Sequence, residues 1–273
     1  MNAKLNMKRR AVSLPRWAVS FIACATGAML LSCQTVPITG RHQLNLISSH
    51  DEIKLGESAY RDVMKKSTLS RDAASTEMVR RIGRRIAAVA NRPDYEWEFN
   101  LVEEKTPNAF CLPGGKVVVY TGILKYTQDE NGLAVVMGHE IAHALAHHGA
   151  ERMSQGMLAE IAETGAALVL GRGDPQTADA IQRAFGIGAE YGVLLPFSRE
   201  HESEADHIGL YLMSEAGYDP RGAVAFWNRM MKAEGGKPPE FLSTHPSDEH
   251  RVRQIEKWLP EVAPVYEKHK AAS

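Results

Sequence analysis

Two periodicities run through the chain, and each predicts elements. Met78, Val79, Ile82, Ile86, Ala87 and Val89 recur at three- and four-residue steps, with Arg80, Arg81, Arg84 and Arg85 between them. An apolar stripe opposite a solvated basic face predicts an amphipathic helix over 71–90. A helix over 51–65 precedes it. Ser48 or Ser49 is placed to cap it, and Asp51 and Glu52 lie in the first turn, where the helix dipole favours acids. Tyr95 to Phe99 alternates with period two, which predicts a half-buried strand. The β-branched run 116–120, after the turn Pro113-Gly114-Gly115, predicts a second. Thr121 or Thr127 is placed to cap helices leading into 131–148. The apolar stretch 153–170, interrupted by Glu160 and Glu163, predicts a helix packed on protein, and helices resume from about Thr177 and Arg199. The last third reads as helical with breaks at Pro220, Pro238-Pro239, Pro246 and Pro260. No repeat and no long linker interrupts the pattern. It predicts one α+β, mainly helical domain over 51–273, with a small sheet packed on the 131–148 helix.

The first fifty residues read differently. Lys8-Arg9-Arg10 leads into an apolar run from Trp17 to Leu31, short for a membrane span but suited to an export signal. The run ends in Leu30-Leu31-Ser32-Cys33, which resembles the lipobox of bacterial lipoproteins; Cys24 fits that pattern less well. Residues 1–32 are therefore expected to be a signal peptide, and 33–50 a tether lipidated at Cys33. Gln34 follows the cysteine, so the sorting rule of lipoproteins points to the outer membrane, facing the periplasm; inner-membrane anchoring is the alternative. An uncleaved anchor helix would leave the body on the same side. Of three cysteines only Cys111 then remains, read as a small core residue in a strand.

The 273 residues are 44% hydrophobic and 24% charged, which excludes a disordered or disulfide-stapled chain. Residues 1–32 hold five of the 32 basic residues and none of the 33 acidic ones. The remainder is acidic, with no basic surplus for nucleic acid.

His139-Glu140-Ile141-Ala142-His143 is H-E-x-x-H inside a helix-compatible run. Residues four apart lie one turn apart on a helix, so both imidazoles can reach one ion at about 2.0–2.1 Å while Glu140 projects beside it. Chance yields about 0.04 such matches in a chain of this composition. A catalytic zinc takes three protein ligands and leaves one position for water. The run Ser198 to Gly209 offers Glu200, Glu202 and Glu204 as the third. Spacing favours Glu202, whose helical face carries Ala205, Asp206 and Gly209; small residues allow close approach, and Asp206 can accept from a ligand histidine. Glu204 shares a face with Ile208 and Tyr211 and reads as ordinary packing, and Glu200 as solvent-facing. His147 and His148 lie about 6 Å further along the axis, too far to share the ion, and read as surface or supporting residues. His201, His207 and His250 read as bystanders.

These clusters together resemble the zinc metallopeptidases of peptidase family 48, which include the membrane protease HtpX and the CAAX prenyl proteases, and in particular its lipoprotein and mitochondrial quality-control branch. Ser198, Arg199, Glu202, Ala205 and Asp206 match one family element. Asn108-Ala109-Phe110 with Leu112-Pro113-Gly114-Gly115 matches another, and Thr244-His245-Pro246-Ser247, followed by Arg251, a third. Pro37-Ile38-Thr39-Gly40-Arg41 and Gln43-Leu44 also look like that branch. Some relatives carry transmembrane helices or a C-terminal repeat domain, which this sequence does not show.

The resemblance implies a zincin-like (gluzincin) fold and one zinc held by His139, His143 and Glu202, with Glu140 as general base and Asp206 orienting a ligand imidazole. It implies that His245 lies near the zinc, as a latent fourth ligand or facing the oxyanion; helix capping is the competing role. Gly114, Gly115, Lys116, Val117 and Val118 resemble the edge strand on which such proteases lay an extended substrate. The implied substrates are unfolded or misassembled envelope proteins, with an envelope assembly machinery as partner. The competing class of function is an envelope lipoprotein chaperone or assembly factor with a latent or structural zinc site.

Overall fold

Val117, Val118 and Val119 have no solvent exposure, the mark of a strand covered on both faces. They belong to β5 (Lys116–Tyr120), the middle strand of a three-stranded sheet ordered β3-β5-β4. The computed structural model describes residues 33–169, 197–232, 240–246 and 249–270. The expected signal peptide, the helix from Thr177 and the Pro238-Pro239 break lie outside these residues.

β3 (Glu98–Val102) pairs parallel to β5, and β4 (Ala109–Leu112) pairs antiparallel to it. The β4–β5 turn needs backbone that only glycine adopts freely: Gly114 and Gly115 have φ of +87° and +85°. The strand expected at 95–99 starts three residues later, because β5 begins at Lys116, opposite Glu98. Tyr95 and Trp97 precede that register, and Trp97 stacks on Phe99 with ring centres 6.0 Å apart.

Two helices follow their sequence signals closely. Ser48 caps α1 (Ser49–Lys66) by accepting from the Asp51 N–H, and Asp72 caps α2 (Ala73–Val89) by accepting from Ala74 and Ser75. Around α1, Tyr60 clusters with Val102, Phe110, Leu112 and Val118 on one face of the sheet. The other face joins the main core with Ile82, Ile86, Leu133 and Met137. A 3-10 turn (Thr121–Ile123) and α3 (Leu124–Thr127) lead into α4 (Glu130–Leu145). Asp129 caps α4, accepting from Gly132; the Thr127 hydroxyl instead bonds back to the Leu124 carbonyl. Every residue of α4 from Gly132 to Leu145 is buried, so it runs through the centre of the protein.

α5 (His148–Val169) begins five residues before the expected position, because His147 takes a left-handed φ of +54° and turns the chain within one residue. Ser198 caps α6 (Arg199–Glu215), which is followed by α7 (Gly222–Met231), α8 (Glu240–Thr244) and α9 (Glu249–His269). Pro260 does not end the last helix; it and Pro264 sit inside it. Each proline removes a backbone donor, but Val252, Ile255 and Val262 bury on either side of Pro260 and hold the helix to the core.

Residues 33–44 are not a loose tether. β1 (Cys33–Thr35) and β2 (His42–Leu44) pair as an antiparallel hairpin, with Val36 and Gln43 buried and Arg41 ion-paired to Glu151 and Glu204. No described helix is long and apolar enough to cross a membrane.

Candidate metal centre

Helical spacing alone brings His139 and His143 together on α4, with Nε2 atoms 3.1 Å apart. The third group arrives from α6, which crosses α4 at contact distance because both helices carry glycine there. A Cβ on Gly209 would lie 2.9 Å from the His139 nitrogen. This crossing sets Glu202 Oε2 3.4 Å from His139 Nε2, and its Oε1 3.3 Å from His143 Nε2. A tetrahedral ion with bonds of about 2.0–2.1 Å separates its ligand atoms by about 3.3–3.4 Å. The two imidazole nitrogens and the Glu202 carboxylate come within 3.1–3.4 Å of one another, close to that spacing, with a different carboxylate oxygen toward each ring. Two imidazole lone pairs and a carboxylate converging in a buried space repel one another, and a divalent metal ion offsets that repulsion. The donor set therefore fits such an ion.

His245 completes a four-residue buried group. Its Nδ1 lies 3.0 Å from Glu202 Oε1 and 3.2 Å from His139 Nε2. Its Nε2 lies 3.4 Å from Glu140 Oε1, a buried oxygen that accepts no hydrogen bond from the described residues. An orphaned carboxylate oxygen beside such a cluster is a candidate proton acceptor. Burial pushes Glu140 up to about 7; His245 and Arg251 pull it down, and the charge of Glu202 adds to the rise. Burial also raises Glu202, but Arg251 and the imidazoles of His245, His139 and His143 outweigh it and hold that carboxyl well below the ordinary range.

Two groups hold the ligands from behind. Asp206 Oδ1 lies 2.9 Å from His139 Nδ1, which leaves Nε2 facing the cluster. Arg251, from α9, donates to Glu202 at 2.6 Å and to Asp206 at 2.6 and 2.8 Å, with its guanidinium 3.5 Å from the centre of the Trp227 ring. In the sequence, Arg251 stands out only as following the Thr244-His245-Pro246-Ser247 element. A lone arginine some 45 positions from its carboxylates carries no local signal beyond its place in that element.

Several expectations need correction. Glu204 is not ordinary amphipathic packing: it is buried and bonded to His148 and Arg41. His201, expected as a bystander, lies outside the donor group and is buried, 3.1 Å from Glu151. His147 bonds Glu52 at 2.6 Å, and Glu200 is exposed as expected. Gly114, Gly115, Lys116, Val117 and Val118 do not form an edge strand: β5 pairs with β3 and β4, so both its sides are taken. Lys116 is buried and ion-paired to Glu98 at 2.9 Å. The edge is β4. Tyr120 N–H donates to Asn108, so the alternating ladder turns the main-chain groups of Ala109 and Cys111 away from β5. Cys111 is a free cysteine, and burial pushes its thiol far up, which makes it unreactive.

Residues 73–259 match the sequence profile of Peptidase family M48. The mitochondrial metalloendopeptidase OMA1 of Schizosaccharomyces pombe is 42% identical over 231 residues, 83% of this chain and 66% of that protein. OMA1 of Saccharomyces cerevisiae is 37% identical over 186 residues, 65% of this chain and 51% of its own length. The β-barrel assembly-enhancing protease of Escherichia coli is 28% identical over 239 residues, 86% of this chain and 49% of that protein. The chain thus spans about half to two thirds of the length of these relatives. With a profile match across most of its length and a relative above 40% identity, the chain belongs to peptidase family M48.

Proposed function

We propose that the chain is a zinc-dependent endopeptidase of the cell envelope, acting on unfolded or misassembled proteins. The convergence of His139, His143 and Glu202 at tetrahedral spacing, with the orphaned Glu140 oxygen beside them, carries this reading. When bound, zinc supplies Lewis acidity, lowering the pKa of water towards about 7 and polarising a carbonyl. Glu140 takes the proton of the attacking water and passes it to the leaving amine. Burial raises the Glu140 carboxyl, which suits it to serve as acceptor and then donor. Asp206 orients His139, and Arg251 holds both carboxylates in place.

Substrate adds as a strand along β4, bonding to the outward main chain of Cys111 and to the Ala109 carbonyl; the Ala109 N–H already donates to the Asn108 side chain. An edge that reads backbone needs an extended segment, which unfolded proteins offer. The names of the relatives, a mitochondrial metalloendopeptidase and a protease enhancing β-barrel assembly, support this class and an assembly-machinery partner. Lipidation of Cys33 would anchor the protein to the outer membrane, facing the periplasm. In the test, Glu140→Gln is expected to fold and keep its zinc yet fail to cut an unfolded protein such as casein; cleavage at the wild-type rate removes Glu140 as the base.

One observation favours a second reading, an assembly factor whose zinc site is latent. His245 Nδ1 stands where a fourth ligand would. If the imidazole closes the site, His245→Ala should cleave faster or lose regulation. Unchanged cleavage with only a lower melting temperature assigns it a structural role.

A further inference from the structure

The ring of His143 is held from behind by a line of contacts that ends in the N-terminal hairpin. Its Nδ1 lies 2.8 Å from Nδ1 of His148, whose Nε2 lies 3.0 Å from Glu204 Oε2. Glu204 accepts from Arg41 Nε at 2.7 Å and from the Thr39 hydroxyl. His148 is fully buried and Glu204 nearly so. The left-handed turn at His147, pinned by its bond to Glu52, folds His148 back onto His143.

Hydrogen positions follow from this order. For His143 to offer its Nε2 lone pair to a metal, its Nδ1 must carry the hydrogen and donate to His148. His148 then accepts at Nδ1 and donates from Nε2 to Glu204. A carboxylate only accepts and a guanidinium only donates, so Glu204 and Arg41 fix the direction of the line. The opposite tautomer of His148 would aim a hydrogen at His143 Nδ1 and drive the His143 hydrogen onto the metal-binding nitrogen.

We infer that Thr39 and Arg41 of the N-terminal hairpin, acting through Glu204 and His148, are positioning residues of the metal centre that lock His143 in its metal-binding tautomer. Asp206 does the same for His139 in a single step. The inference rests on the metal reading above. It makes a segment expected to be a tether part of the site.

Arg41 has a second arm, which supplies a matched control. It donates to Glu151 at 2.7 and 2.9 Å, and Glu151 reaches His201, whose Nδ1 has no partner among the described residues. This arm loads the same hairpin without hydrogen-bonding the His143–His148 pair, which it touches only where His201 stacks on His148 with ring centres 4.4 Å apart. Zinc affinity of the full chain, measured by competition with a chromophoric chelator, and the melting temperature should be followed in Glu204→Met, Thr39→Val and Glu151→Met. Glu204→Met is expected to weaken zinc binding by about 10–100-fold, and Thr39→Val by a smaller factor. Glu151→Met is expected to lower the melting temperature and to weaken zinc binding clearly less than Glu204→Met, because it reaches the relay only through the shared Arg41 and the stacking of His201 on His148. Wild-type affinity in Glu204→Met, or an equal loss in Glu151→Met, overturns the inference. Should Glu204→Met not fold, wild-type affinity in Thr39→Val overturns it. A wild-type chain that binds no zinc ends the metal reading as well, whereas equal binding by wild type and Glu204→Met ends only the relay.

Discussion

Arg251 shows what a single side chain contributes at this site. It is buried against Glu202 and Asp206 and neutralises two carboxylates that lie one turn apart on the same face of α6. Removing one partner of a buried ion pair costs about 3–5 kcal/mol, because the remaining charges stay buried. Arg251→Met should lower stability by about that amount, read as the midpoint of urea unfolding; a change under about 1 kcal/mol would show that the two carboxylates find other partners. At this scale legibility depends on distance along the chain. His139, Glu140 and His143 were legible because their geometry is local to one helix. Glu204 was misread because helical-face reasoning compares a residue only with its own helix, and its partners His148 and Arg41 come from elsewhere.

Elements meet here through backbone proximity. The α4–α6 crossing depends on Gly209, whose added Cβ would press on the His139 backbone at 2.9 Å. Gly209→Ala should part the helices and move Glu202 from the imidazoles, weakening metal binding and costing about 1–3 kcal/mol in the manner of an overpacked core. Unchanged metal affinity would show that the crossing has slack. Sequence spacing identified the small face of α6 correctly, but strand order was not legible. Periodicity marks 116–120 as a strand and says nothing about which neighbours it takes, so the central strand was read as an edge. The corrected edge makes its own prediction. Proline at an outward-facing position of β4 removes a donor from the substrate side and leaves the β4–β5 ladder intact. Cys111→Pro should keep the fold and raise KM for unfolded protein substrates; unchanged KM would exclude β4 as the docking strand.

For the whole molecule, the N-terminal hairpin and the helical body are joined by buried charge. Burial raises the Glu151 and Glu204 carboxyls, but bonds from His201 and Arg41 to Glu151, and from His148, Thr39 and Arg41 to Glu204, hold both at about 2. A carboxyl with a depressed folded pKa stabilises the protein fully above its unfolded value of about 4.3 and ceases to do so as pH falls towards the folded value. The melting temperature should therefore drop between about pH 4 and pH 2, and Glu151→Met should flatten that drop. An equally steep drop in the variant would place the acid sensitivity elsewhere. The hairpin escaped the sequence reading because its strands are three residues long and it is held by Arg41, whose partners lie 110 and 163 positions away.

The most direct measurement is anomalous diffraction at the zinc edge from crystals of the full chain grown with zinc. One strong peak is expected within bonding distance of His139 Nε2, His143 Nε2 and a Glu202 oxygen, about 2.0–2.2 Å from each. A protein that takes up no zinc, or a peak bonded to other residues with Glu202 turned away, would contradict the metal centre described here.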